Sequence, residues 1–158
     1  MYALDRLESP SPDFARVQKR ASSELGTSLS YRRIDVREVE QLNSIVQEIA
    51  DKHGRLDGLI AAAGIQQETP ALEYTGKDCD TMMSVNVTGC FMTAQAAAKQ
   101  MVRFGNGGSI VMIASMSGTI ANRVSGPLTI DESDTNVSPG TNLSSIQCLE
   151  GRCHPTRT

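Results

Sequence analysis

Apolar positions along the chain recur with two different periods, and the switching between them predicts the order of elements. Tyr2 to Leu4 form a short apolar run that stops at the charges Asp5 and Arg6, as a strand with an exposed carboxyl-terminal tip does. A mixed helical pattern follows, with Ser and Pro before it and Gly26 after it, so the spacing predicts a helix from about Pro12 to Leu25. "SLSYRRIDV" alternates and ends on Asp35, a second strand, after which Val39, Leu42, Ile45, Val46 and Ile49 recur at helical spacing until Gly54. "LDGLIAAAG" reads as a third strand, apolar on both faces. A long helical region is predicted from about Lys77 to Phe104, with Met82, Met83, Val85, Phe91 and Met101 supplying its buried surface, and "GGSIVMIAS" is the fourth strand.

Strands alternating with helices in this way predict an α/β fold: a doubly wound, open parallel sheet covered on both faces, with right-handed crossovers. Ligands on such sheets bind beyond the carboxyl ends of the strands. That rule selects Asp5, Asp35, the Ala61–Gly64 turn and Ser115, all of which follow strands. Beyond Arg123 the apolar periods end. Residues 124–158 are rich in Ser, Thr, Pro, Gly and Asn and are expected to be irregular.

Composition narrows the function classes. The 158 residues are 39% hydrophobic, enough for one domain, and the formal charge is -3 with 15 basic against 18 acidic residues. Without a basic block, and with few aromatics, the chain has no electrostatic footprint for nucleic acid or an anionic membrane. Small neutral or anionic ligands remain. Cys79, Cys90, Cys148 and Cys153 form no zinc-like pairs; "CLEGRCH" lacks a second ligand pair, so no metal site is expected. The cysteine pattern, with no signal-like start, sets a reducing, cytoplasmic location as the expectation. No apolar run is long enough to span a bilayer.

The ordered landmarks "LDR", "IDV", "DGLIAAAG", "NVTG" and "GGSIVMIASMSG" resemble those of the short-chain dehydrogenase/reductase family over Tyr2 to Arg123. The wording "ASMSGTIANR" is most similar to a fungal branch of polyol dehydrogenases and ketose reductases. The resemblance implies a partial Rossmann-like dinucleotide-binding domain over residues 1–123, beginning at the family's second strand and so lacking the first strand and its glycine-rich phosphate turn. It also implies an oxidoreductase interconverting a secondary alcohol and a ketone.

Under that resemblance Asp5 binds the adenosine ribose hydroxyls, favouring NAD slightly over NADP, while Arg6 would neutralise a 2′-phosphate. A solvated charge pair is the other reading of these two residues. Asp35 with Val36 is similar to the family's acidic tip that touches adenine; from the residues alone, Asp35 serves a helix cap near Glu38 equally well. Ala61, Ala63 and Gly64 stand in the turn near the nicotinamide ribose, where the family usually carries Asn-Asn-Ala-Gly; Ala at 61 and 62 removes side-chain amides but keeps the close backbone approach, and plain strand–helix packing explains the same residues. Asn86 matches a residue that joins a proton relay through local backbone irregularity, against a plain polar position on a solvated face. Ser115, with Ser117 as its neighbour, matches the hydroxyl that orients the substrate oxygen, against a turn serine bonding its own backbone. The expected catalytic residues are thus Ser115 and Asn86.

The family's Tyr-x-x-x-Lys pair is absent: no tyrosine follows Tyr74 and no lysine follows Lys99. A phenol titrates near 10 and needs the adjacent ammonium to exchange protons at neutral pH, so negligible turnover is expected of this chain. The tail carries a trace of the missing pair in its possible codons. "GTNLSSIQCLEGRCHPT" admits codons that, read one base forward from within the Ile146 codon, give Tyr-Ser-Ala-Ser-Lys-Ala-Ala-Val-Ile-Gln. Val124–Ser125 can be encoded GTAAGT, an intron donor, and Pro139–Gly140 can contain an acceptor AG. Residues 124 to about 140 are therefore expected to translate a retained intron, and the remainder the active-site helix out of frame. Three expectations about the whole chain stay open: an oxidoreductase acting on a small molecule, a non-catalytic relative that pairs through its long helices in a homo-oligomer or with an intact subunit, and an unstable product of a mispredicted gene.

Overall fold

The structure, a computed structural model, describes residues 1–115 and 151–153. In chain order the elements are β1 (Tyr2–Asp5), α1 (Pro12–Glu24), β2 (Ser30–Arg33), α2 (Val39–His53), β3 (Gly58–Ala61), a short 3₁₀ turn (Ala71–Glu73), α3 (Gly76–Met83), a π-helical turn (Ser84–Gly89), α4 (Cys90–Phe104), β4 (Gly108–Met112) and β5 (Gly151–Cys153). The fold is α/β with parallel strands, that of a partial Rossmann domain.

Local chemistry sets most of these boundaries. Pro12 opens α1 at a position where its missing N–H costs nothing. The α2 and α4 helices both stop at a glycine in the left-handed region, Gly54 at φ 67° and Gly105 at φ 68°, which residues with a Cβ adopt only under strain. A reciprocal capping box starts α3: Thr75 Oγ1 accepts from the Asp78 N–H while the Asp78 carboxylate accepts from the Thr75 N–H. The single helix expected over 77–104 is three pieces in one run, because six residues from Ser84 to Gly89 widen into a π-helical turn.

β1 pairs with β2 in parallel, Tyr2 opposite Ser30 through Asp5 opposite Arg33. β3 pairs with β4 in parallel, Gly58 opposite Ser109 through Ala61 opposite Met112, and β5 adds to β4 antiparallel. The strands thus form two sheets among the described residues, where one was expected. Packing of α2 against α4 joins them. Ile34, Leu42, Val46 and Ala96 form one buried cluster, and Ala97, Met101 and Ile110 a second, with Leu56 packed against both. The alanines of α4 bring its backbone close to both clusters, so a single helix serves as the seam.

Two further expectations are corrected. The second strand ends at Arg33 and not at Asp35, because the Ile34 N–H bonds the Asp5 carbonyl and the chain then turns, the Glu38 N–H donating to the Asp35 carbonyl. The β3–β4 sheet is covered on one face only among the described residues: Ile60 is 68% exposed and Ile113 59%, with Val111 beside them, while Leu59, Ile110 and Met112 face α4. Three residues of the tail, in β5, lie against β4; the other tail positions, Ser117 and the Arg123 boundary fall outside the described residues. No helix among the described residues is long and apolar enough to cross a membrane.

Candidate functional site

Two groups of residues gather beyond the carboxyl ends of the strands. The first surrounds a cavity of about 300 Å³ between the segment after β3 and the segment after β4, with Ala63, Gly64, Ile65, Asn86, Cys90 and Ser115 in its wall. The π-helical turn carries Asn86 to this cavity, where its side chain clamps the turn after β3. The Ile65 N–H donates to Asn86 Oδ1 and Asn86 Nδ2 donates to the Ile65 carbonyl, both at 2.9 Å. Asn86 is half-buried and its amide oxygen and nitrogen are each bonded to Ile65, so it does not lie on a solvated face. A Cβ at Gly64 would lie 3.5 Å from Asn86 Oδ1, an ordinary contact, so glycine there eases the approach without being forced by it. Ala61, buried at the end of β3, supports this turn from below and is not part of the wall. Ser115 is exposed at the cavity's other side, three residues past β4.

The second group lies at the tips of β1 and β2. Asp5 ends β1; its Oδ1 accepts from the Leu7 N–H at 3.0 Å, and its carbonyl accepts from the Ile34 N–H at 2.8 Å. The Arg6 carbonyl accepts from Arg33 Nε at 3.2 Å. Asp35 is gripped by its neighbour: Oδ1 accepts from the Arg37 N–H and from Arg37 Nε, each at 3.0 Å, and Oδ2 accepts from Arg37 Nη2 at 2.6 Å. These bonds hold the Asp35 carboxyl down at about 2, against an ordinary value of 3.8, with the Arg6 charge helping from further off. The Asp35 carboxylate therefore ties down the loop into α2, close to its capping alternative, although Glu38 is the cap residue itself. Asp5, Arg6, Asp35 and Val36 do not line the cavity.

Sequence reasoning missed Ile65 and Cys90 as cavity residues. Cys90 directly follows the quoted "NVTG", so continuing one helical turn past Asn86 would have found it; Ile65 had no such signal. Among the described residues no group of three or more His, Cys, Asp or Glu side chains could hold a metal ion, and Cys148 and His154 of "CLEGRCH" lie outside them.

A family model described as short chain dehydrogenase matches residues 5–127. The chain belongs to that family. It is 37% identical over 82 residues to the 2-dehydro-3-deoxy-D-gluconate 5-dehydrogenase of Escherichia coli K12, which covers 52% of this chain and 32% of that relative. To the ribulose-forming D-arabinitol 2-dehydrogenase of Candida albicans it is 35% identical over 89 residues, 56% of this chain and 32% of the relative. Among solved structures, carveol dehydrogenase from Mycobacterium avium in complex with NAD superimposes with a TM-score of 0.66 at 27% identity, over 78% of this chain and 48% of that one. ElxO with NADP bound gives 0.64 at 29% identity, over 78% and 48%. The chain thus spans about a third of these curated relatives and about half of these solved chains.

Proposed function

We propose that this short chain dehydrogenase domain binds a nicotinamide dinucleotide along the two groups just described and belongs to an oxidoreductase acting on a secondary alcohol or ketone. The observation that carries the reading is the convergence on one cavity of the Asn86-clamped turn and Ser115, each beyond the carboxyl end of a parallel strand. Residues and group fit: the walls Ala62, Ala63 and Gly64 carry no bulk, and about 300 Å³ accommodates one end of a dinucleotide rather than its whole length. The adenosine end falls to Asp5, Arg6, Asp35 and Val36. Of these, Asp5 keeps one carboxylate oxygen for ribose hydroxyls, which favours NAD slightly, and Arg6 leaves NADP accessible.

Bound in this way, the nicotinamide supplies hydride chemistry. Ser115 presents its hydroxyl to the substrate oxygen, and Asn86 holds the turn against which the ring would lie. The family's tyrosine–lysine pair has no counterpart after Ser115 in these residues, and negligible turnover of this polypeptide is the outcome expected from that; measurable dehydrogenase activity would overturn it. The likeness to D-arabinitol 2-dehydrogenase supports a polyol and ketose as the parent protein's substrate pair. Residues 124 to about 140 as intron, followed by the frame-shifted active-site helix, account for the loss; a spliced transcript still encoding this tail without an intron refutes that account.

Titration of the chain with NADH and NADPH, followed by nicotinamide fluorescence, tests the binding reading. Saturable binding with NADH the tighter, and a loss of that preference in Asp5→Ala, support it; no saturable binding of either refutes it. Exposed apolar residues, Phe91 and Val102 on α4 and Ile60, Val111 and Ile113 on the sheet, favour a second reading, a non-catalytic subunit that pairs with itself or an intact homologue. A monomer by light scattering, alone and mixed with such a homologue, excludes it.

A further inference from the structure

The two groups of site residues share no wall, yet both rest on the same π-helical turn. Asn86, its third residue, clamps Ile65 on the cavity side. Gly89, its last residue, is buried against Val36 on the other: a Cβ built on Gly89 would lie 2.5 Å from Val36 Cγ2 and 3.1 Å from Val36 Cβ. The first distance is one that non-bonded carbon atoms do not adopt. Turning the valine does not relieve it easily, because a β-branched side chain has few rotamers to spare, whereas the Val36 Cβ at 3.1 Å needs to give only a few tenths of an ångström. Val36 follows Asp35 directly, and the Arg37 N–H after it is tied to the Asp35 carboxylate. Whatever displaces Val36 therefore displaces that whole loop.

We propose that Gly89 is a positioning residue that locks the Asp35–Arg37 loop to the turn holding Asn86, so that the two halves of the candidate site keep a fixed spacing. That these halves bind the two ends of one dinucleotide rests on the function proposed above; the lock itself rests on the Gly89–Val36 contact. The mechanical reason is the widened turn. A π-helical turn takes up an extra residue per hydrogen-bonded loop, which lets Asn86 and Gly89, three positions apart, serve neighbours on different sides of the helix. A methyl group at 89 would also press on the Ser84 carbonyl at 3.2 Å, the acceptor at the start of the same turn.

Hydrogen exchange on the full chain separates the lock from the ligand. Gly89→Ala should speed exchange of the Ile65 and Arg37 amides together by about tenfold, and leave the Gly105 amide at the far end of α4 unchanged. Adding Val36→Ala removes the obstructing methyl and should return both amides to within about twofold of the original. Faster exchange at only one of the two amides, a general rise that includes Gly105, or no recovery in the double variant overturns the lock. If Gly89→Ala does not fold, the double variant decides alone: folding with both amides protected supports the contact, and failure to fold refutes it. In a parallel NADH titration Gly89→Ala should bind about tenfold more weakly. Unaltered chain that takes up no NADH refutes the dinucleotide reading, while the exchange results still decide the lock.

Discussion

The β1–α1–β2 region and the β3–α4–β4 region have similar layouts, a parallel pair of strands with helix between, but they hold their side chains by different means. In the first, α1 buries only Ala21, the ion pairs Arg16–Asp13 and Arg20–Glu24 lie in solvent, and Asp35 is fixed by a residue two positions away. In the second, α4 buries Ala96, Ala97 and Met101 against strands and α2, and Asn86 is fixed by a residue 21 positions away. One end of the candidate site is therefore set by local polar chemistry and the other by packing. The first should respond to pH and charge, the second to volume.

The largest expected effect is on volume. Met101 is 1% exposed and packs on Ala97 and Ile110, so Met101→Ala should lower stability by about 2–5 kcal/mol in urea unfolding, through lost burial and the cavity left behind. A change under 1 kcal/mol would show that the second region is not packed as described. Next comes Asn86→Ala, which removes both partners of the half-buried Ile65 N–H and carbonyl and should cost about 1 kcal/mol, with the Ile65 amide losing its exchange protection. Thr75→Ala removes half of the α3 capping box and should cost about 1 kcal/mol by the same measurement.

The electrostatic effects are smaller and confined to the first region. Asp35 titrates lower folded than unfolded, so its contribution is complete above its ordinary value of 3.8 and is lost as pH falls through about 2. Arg37→Ala should let the Asp35 carboxyl rise toward that ordinary value, read by NMR titration, and should flatten the acid limb of the stability curve; an unmoved Asp35 would mean that Arg37 is not what holds it. Glu24→Ala, breaking a pair whose side chains are 72% and 57% exposed, should leave the unfolding midpoint unchanged.

The same contrast explains what could be read without coordinates. The end of β1 at Asp5 was legible because a charge directly after an apolar run stops a strand, whereas Asp35 and Ser115 fall two and three residues past the ends of β2 and β4. The helix end at Gly54 was legible for a similar reason, a glycine after the last periodic residue. Asn86 stood out as a poor helix former in a helical stretch, but nothing in "NVTG" names Ile65 as its partner or Val36 as the neighbour of Gly89. Both contacts join segments separated by a helix or a strand.

The sequence by itself determined the alternation of strand and helix, the starts and stops, and the residues delivered to the strand tips, because each depends on interactions within a few positions. Only the tertiary structure decided that the described strands form two sheets, that the described residues leave one sheet face uncovered, and that a single π-helical turn touches both halves of the candidate site. Those outcomes depend on which distant segments pack together, and side-chain spacing along one segment carries no record of its partner.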